Sequence, residues 1–142
     1  MPPPRDTTTG GVFERMVPEA LRHGGYQVEK PPKPIGSRLG GGRHYVDLVA
    51  TKEGRSILVS LKWQQTSGTA EQKIPFEVMC LADAVVSSNG KFTRAYVVLG
   101  GDGWSLREFY VNGGLDRFLR GCESIKVVSM ETFLGLANRG QA

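Results

Sequence analysis

The stretch SILVSLKWQ, residues 56–64, constrains the fold of this 142-residue chain more than any other segment. Its first half has the apolar, β-branched composition of a buried strand. Because successive side chains of a strand point to opposite faces, Ser60, Lys62 and Gln64 share one face. The sequence therefore predicts a core strand that ends in a polar site.

A second strand, predicted over His44–Ala50, precedes it across the turn signal TKEGR, residues 51–55. A hairpin that turns in the middle of this signal pairs residues whose numbers sum to 107, with Asp47 opposite Ser60. A slip of one residue would mismatch the apolar faces of the two strands. The simplest register therefore places Asp47, Ser60 and Lys62 in one polar cluster, which Gln64 extends.

Hydrophobic periodicity and turn signals predict the remaining elements. Before the hairpin they are a helix over residues 11–23 that Pro18 kinks or divides, a short strand over Tyr26–Glu29, and a mobile loop over residues 30–43. After it they are a helix from Pro75 to about Val86, a strand over residues 92–100, short helices over Ser105–Tyr110 and Leu115–Leu119, a strand over residues 124–129 and a helix over Met130–Ala137. Residues 1–9, with three prolines and three threonines, are predicted to be disordered, and residues 10–142 to form a single domain.

Composition and charge narrow the class of protein. The net charge of +4 and the pI of about 9.3 are compatible with a polyanionic partner without requiring one. No stretch approaches the ~20 apolar residues of a membrane span, and the N-terminus lacks the apolar core of a signal peptide. The two cysteines have no metal-binding spacing, so we expect reduced thiols in a cytoplasmic protein.

An aspartate beside a lysine, close to a helix with further acidic residues, is a candidate site for a hard cation. Mg²⁺ binds few protein carboxylates and keeps waters and substrate phosphate oxygens. Such an ion activates water at a phosphate, and a nearby lysine orients that water or neutralises developing charge. On spacing alone, an ordinary salt bridge between Asp47 and Lys62 is the more common arrangement. The context favours the cation site, because Lys62 ends a strongly apolar strand and precedes a polar, glycine-containing loop.

The segment HYVDLVATKEGRSILVSLKWQ, residues 44–64, resembles the catalytic hairpin of the PD-(D/E)XK nuclease superfamily. In that pattern an aspartate in one strand is followed by an apolar strand that ends in (Asp/Glu)-x-Lys. Asp47 matches the aspartate and Lys62 the lysine. The resemblance implies an α/β fold, with a restriction-endonuclease-like αβββαβ core and a mixed central sheet flanked by helices.

The sequence departs from the pattern at Ser60, which occupies the position of the second acid and cannot supply its charge. Some restriction endonucleases of the superfamily also have Ser-x-Lys and take the acid from a glutamate on the following helix. Glu77, fifteen residues after Lys62, matches that arrangement. Glu71 in the preceding loop is the alternative acid, and we prefer Glu77 because a helix fixes a ligand better than a loop. A glutamate near a helix N-terminus is equally well explained by the helix dipole.

By the same resemblance, Asp47, Glu77 and the backbone carbonyl of Leu61 would bind Mg²⁺, with Mn²⁺ able to substitute. Lys62 would orient the attacking water. Two residues match supporting positions in some branches, namely Glu14 in the first helix (with Glu19 as the fallback) and Gln64. Five basic residues outside the predicted strands are expected to contact DNA phosphates: Lys30, Lys33, Arg38, Arg43 and Lys73. For each of them, the alternative is a solvated side chain that makes no such contact.

The resemblance implies a Mg²⁺-dependent DNA endonuclease that leaves a 5′-phosphate. Little chain remains for a sequence-reading domain, which favours a structure-selective enzyme, such as a Holliday junction resolvase, or a nicking enzyme. Such enzymes usually act as homodimers, because two strands need two sites. We expect a cytoplasmic protein, in the host cell if a phage encodes it. The alternatives are a catalytically inactive DNA-binding module on the same fold, a compact type II restriction endonuclease, and an enzyme acting on non-DNA phosphates.

Overall fold

Seven strands and four helices are present in the computed structural model, which describes residues 10–142. The disorder predicted for residues 1–9 lies outside the described residues. The strands are β1 (Gln27–Glu29), β2 (Gly36–Ser37), β3 (Arg43–His44), β4 (Leu48–Lys52), β5 (Arg55–Trp63), β6 (Phe92–Gly100) and β7 (Ile125–Ser129). The helices are α1 (Gly10–His23), α2 (Lys73–Ser87), α3 (Arg107–Val111) and α4 (Met130–Asn138), with 3-10 turns at Thr69–Gln72 and Gly114–Arg117.

The central sheet has five strands in the order β1-β4-β5-β6-β7. The β1–β4 and β4–β5 pairs are antiparallel, whereas β5–β6 and β6–β7 are parallel, so the sheet is mixed. The chain passes through α1, β1, β4, β5, α2 and β6 in that order. This confirms the predicted α/β fold with an αβββαβ core, into which the β2–β3 hairpin is inserted.

Two apolar clusters cover the two faces of the sheet. On one face α1 packs through Phe13, Val17 and Leu21, whose spacing of four residues forms a single helical stripe, together with residues of α4. On the other face α2 packs through residues such as Val78 and Leu81. Because both faces are covered, β6 is buried along nearly its whole length, as a central parallel strand should be. This packing therefore fixes the positions of the helix side chains that lie at the edge of the sheet.

The segment before β4 differs from the prediction. β4 begins at Leu48 instead of His44. Residues 30–43, predicted to be a mobile loop, contain β2 and the first residue of β3, and these two strands pair with each other. His44 is held there because its carbonyl accepts a hydrogen bond from the amide of Ile35 at 2.8 Å. The chain bends between β3 and β4, so Val46 and Val49 both point into the α2-side cluster, contrary to the predicted alternation.

Helix α1 continues through Pro18 as one element, instead of being divided there. Proline has no amide hydrogen, so the carbonyl of the residue four positions earlier, Glu14, loses its usual helical partner. Among residues 10–142, no helix is long and apolar enough to cross a membrane.

Candidate active site

The β4–β5 hairpin has the register that the sequence predicts. Its pairs run from Leu48 opposite Val59 to Lys52 opposite Arg55, and every pair of numbers sums to 107. The two turn residues, Glu53 and Gly54, both have positive φ (54° and 77°). A two-residue type I′ turn requires this at both central positions, and it fixes the register of the strands that follow.

Asp47 lies just beyond the last pair of the ladder, where β4 has not yet begun. The backbone amide of Leu61 donates a hydrogen bond to its Oδ2 at 2.7 Å. The carboxylate therefore takes the place that a backbone carbonyl would have if the ladder continued. Because the N–H and C=O of a strand residue point to the same neighbouring strand, the Leu61 carbonyl also faces the Asp47 side of β5.

A cavity of about 240 Å³ opens next to Asp47, on the α1 side. Glu14 and Arg22 of α1 line it, as do Leu61 and Lys30. Glu14 and Arg22 are eight residues apart, which places them on one face of the helix. Glu19 is exposed and lies outside this cavity. Of the two glutamates of α1, the structure therefore brings Glu14 to Asp47.

Glu77 of α2 contacts Ser60 and Lys62, the two residues next to Leu61 in β5. Its Oε2 accepts a hydrogen bond from Ser60 Oγ at 2.7 Å and lies 3.6 Å from Lys62 Nζ. Its Oε1 lies 3.3 Å from Nε2 of His44. A carboxylate of α2 therefore contacts Ser60, the residue at the position of the second acid of the motif.

The predicted polar cluster is therefore divided into two groups. Asp47 belongs to the group with Glu14, while Ser60 and Lys62 contact Glu77. Within the described residues, Asp47 and Lys62 form no ion pair. An ordinary cross-strand salt bridge thus does not explain why the two residues are present.

The environment of Glu77 keeps it ionised. Burial raises the pKa of this carboxyl group, but the close contact with His44, the hydrogen bond from Ser60 and the charge of Lys62 together outweigh burial and lower the pKa to about 2. The side chain is only 12% exposed, so water weakens these contacts little. Glu77 is therefore an anion over the whole physiological pH range.

This lowered pKa predicts how stability depends on pH. The ordinary pKa is 4.5 and the folded value about 2, so the contribution is complete above pH 4.5 and is lost as the pH falls towards 2. Its upper limit is roughly 3 kcal/mol. We expect Glu77→Gln to lose less stability than wild type between about pH 6 and pH 3, measured by urea unfolding in EDTA. Equal losses in the two proteins would contradict the assigned contacts.

Glu71 and Gln64, two further residues singled out in the sequence, lie at a separate place. Glu71 is buried, and its Oε1 accepts a hydrogen bond from the amide of Leu106 at 2.6 Å, which lowers its pKa despite burial. Gln64 is also buried and donates from Nε2 to the carbonyl of Gly103 at 2.8 Å. Both side chains thus stabilise the loop before α3, and neither lines the cavity next to Asp47.

The five basic residues expected to contact DNA are all exposed, and within residues 10–142 none of them forms an ion pair. Lys30 lines the Asp47 cavity, whereas Lys33 lines a separate cavity of about 600 Å³ beneath residues 31–37. Arg38 and Arg43 flank the tip of the β2–β3 hairpin, and Lys73 begins α2.

Two residues of the site were not predicted from the sequence. Arg22 could have been found from its eight-residue separation from Glu14. No sequence pattern pointed to His44, because it has no partner at metal-ligand spacing. It contacts Glu77 only because the inserted β2–β3 hairpin brings it there.

A family model for the PD-(D/E)XK nuclease superfamily domain matches residues 5–141. The chain belongs to the PD-(D/E)XK nuclease superfamily. The match covers nearly the whole sequence, whereas the resemblance seen in the residues rested on the hairpin and the αβββαβ core. No curated protein matches this nuclease domain.

Two solved structures resemble the PD-(D/E)XK domain. The protein of unknown function AF1548 is 15% identical, with a TM-score of 0.48, over 83% of this chain and 58% of its own. The small subunit, R.BspD6I2, of the heterodimeric restriction endonuclease R.BspD6I is 17% identical, with a TM-score of 0.45, over 92% of this chain and 68% of its own. The nuclease domain thus spans less than two thirds of the length of AF1548.

Nucleases of this superfamily generally use divalent metals, and the oxygen atoms around Leu61 are of the kind that a hard cation binds. Asp47 accepts a hydrogen bond from the Leu61 amide, and the Leu61 carbonyl faces the Asp47 side of β5. Glu77 accepts a hydrogen bond from the neighbouring Ser60. Within residues 10–142, no three His, Cys, Asp or Glu side chains converge on one point. Mg²⁺ needs no such group, because it binds through one or two carboxylates and keeps several waters. Carboxylate and carbonyl oxygens are the kind of donor that this cation binds.

Proposed function

We propose that this chain is a Mg²⁺-dependent DNA endonuclease in which α2 supplies the acid that the motif lacks. The observation that carries the proposal is the contact of Glu77 with both Ser60 and Lys62. A solvated helical glutamate would have no reason to be buried against those two residues. The contact favours Glu77 over Glu71, whose carboxylate is bonded to the Leu106 amide.

In this proposal Asp47, Glu77 and the Leu61 carbonyl would hold the cation, which lowers the pKa of a bound water and stabilises charge on the phosphate. Lys62 orients the attacking water or neutralises charge on the phosphate, since its side chain is 36% exposed and its ammonium group lies 3.6 Å from Glu77. Glu14 supports Asp47 from the α1 side of the cavity. Gln64 acts indirectly, by holding the loop at Gly103 beside the end of β5.

Basic side chains suited to binding a DNA phosphate also line the cavity next to Asp47. Arg22 and Lys30 line it together with the two acids. We assign these two side chains to a substrate phosphate, and Arg38, Arg43, Lys33 and Lys73 to phosphates farther along the DNA.

Arg22→Ala and Lys30→Ala are each expected to weaken DNA binding similarly for all sequences. Each change should also reduce the slope of log affinity against log salt by about 1, because one phosphate contact is lost. Binding is measured in EDTA over a series of KCl concentrations. The matched control is Arg15→Ala, an exposed arginine of the same helix that lies outside the cavity. An equal effect of Arg15→Ala would show that only net charge matters.

Within this proposal the enzyme is a nicking or structure-selective endonuclease that acts in the cytoplasm as a homodimer, because two strands need two sites. The test is cleavage of supercoiled plasmid and of a synthetic four-way junction with Mg²⁺, with EDTA as control. We expect metal-dependent nicks with 5′-phosphate ends. Binding without cleavage in any divalent ion would instead support a DNA-binding module, and cleavage at a fixed sequence a compact restriction endonuclease. Turnover of non-DNA phosphates alone would refute DNA as the substrate.

A further inference from the structure

His44 is the most unusual buried polar residue in the described part of the chain. Its side chain is completely buried, and neither ring nitrogen makes a hydrogen bond of regular geometry there. Its nearest charged neighbour is Glu77, with Nε2 3.3 Å from Oε1. Burying a polar ring without regular hydrogen bonds costs free energy, so an apolar side chain would serve packing alone at least as well.

The two oxygens of Glu77 have different partners. Oε2 contacts Ser60 and Lys62, which are both on β5. Oε1 faces His44, which reaches it from β3 and not from the catalytic hairpin. Without His44, the carboxylate is held at one oxygen only and is free to turn about that contact. The imidazole of His44 therefore contacts the second oxygen and fixes the orientation of the carboxylate.

We propose that His44 is a positioning residue for Glu77, holding Oε1 through the hydrogen on Nε2 so that the carboxylate is correctly oriented for the cation. This inference rests on the proposed role of Glu77 as a metal ligand. Partners of this kind orient ligands, and losing them typically lowers metal affinity or activity by about 10–100-fold. His44 belongs to the hairpin whose tip carries Arg38 and Arg43, so the hairpin assigned to DNA also orients the site.

The experiment compares two replacements of His44 by calorimetric titration of the metal-free protein with Mn²⁺ alone. His44→Gln keeps an N–H donor close to the position of Nε2, whereas His44→Leu keeps bulk without a donor. We expect His44→Leu to lose about 10–100-fold in Mn²⁺ affinity and His44→Gln to stay close to wild type. Thermal unfolding without metal checks that both variants fold.

Wild-type Mn²⁺ affinity in folded His44→Leu would overturn the inference, as would equal losses in both variants. If His44→Leu does not fold, His44→Asn replaces it, since its N–H lies near Nδ1 and should not rescue binding. A wild-type protein that binds no Mn²⁺ would overturn both the inference and the cation site. Mn²⁺ binding that depends on His44, without DNA cleavage, would refute the endonuclease and keep the role of His44.

Discussion

Replacing Lys62 by alanine is expected to reduce Mg²⁺-dependent nicking of supercoiled plasmid by about 10²–10⁴-fold. The ammonium group is the cation of β5 closest to Glu77, at 3.6 Å, and no other lysine of the described residues pairs with that carboxylate. Removing it leaves the water without its orienting group and the phosphate without a neutralising charge. The measurement is the initial rate of nicked-circle formation at saturating Mg²⁺.

The matched control for this variant is Lys126→Ala, an exposed lysine of β7 at the far edge of the same sheet. It removes the same charge from the protein but should cleave like wild type. DNA binding by Lys62→Ala, measured in EDTA, should remain because phosphate contacts are assigned to other residues. A Lys62→Ala protein that nicks plasmid at the wild-type rate would remove Lys62 from the mechanism.

The second large effect is expected from Glu77→Gln, which keeps the shape of the side chain and removes its charge. Losing a partner around a metal ligand typically costs about 10–100-fold, so we expect losing the ligand charge itself to cost at least about 100-fold in cleavage. Mn²⁺ affinity of the metal-free protein should fall in parallel. Cleavage rate and calorimetric affinity are the two measurements.

Glu71→Gln is the internal comparison for Glu77→Gln, since both replace a partly or fully buried glutamate of the same segment. Glu71 accepts a hydrogen bond from the Leu106 amide, so its replacement should lower the midpoint of thermal unfolding and leave cleavage close to wild type. The reverse result, with cleavage lost in Glu71→Gln and kept in Glu77→Gln, would transfer the role of the missing acid to Glu71.

The register of the β4–β5 hairpin and the bounds of the strand β6 could be predicted because local chemistry determines both. The turn at Glu53-Gly54 fixes the pairing, and the apolar run of residues 92–100 coincides with the observed β6. The order of elements in the αβββαβ core also followed from periodicity alone, and the structure confirms it.

The sequence did not reveal where the regular alternation of the first catalytic strand ends. Pairing between β2 and β3 keeps His44 out of β4, and this contact joins segments separated by a glycine-rich loop. The directions of Gln64 and Glu71 likewise depend on the loop before α3, which lies more than thirty residues away. Such tertiary contacts override strand and helix periodicity.

The most direct test of the account is a crystal structure of the protein with Mn²⁺, located by its anomalous signal. We expect one ion between Asp47 and Glu77, bound at about 2–2.5 Å to a carboxylate oxygen of each and to the Leu61 carbonyl. An ion that is bound elsewhere, or that contacts neither Asp47 nor the Leu61 carbonyl, would contradict it.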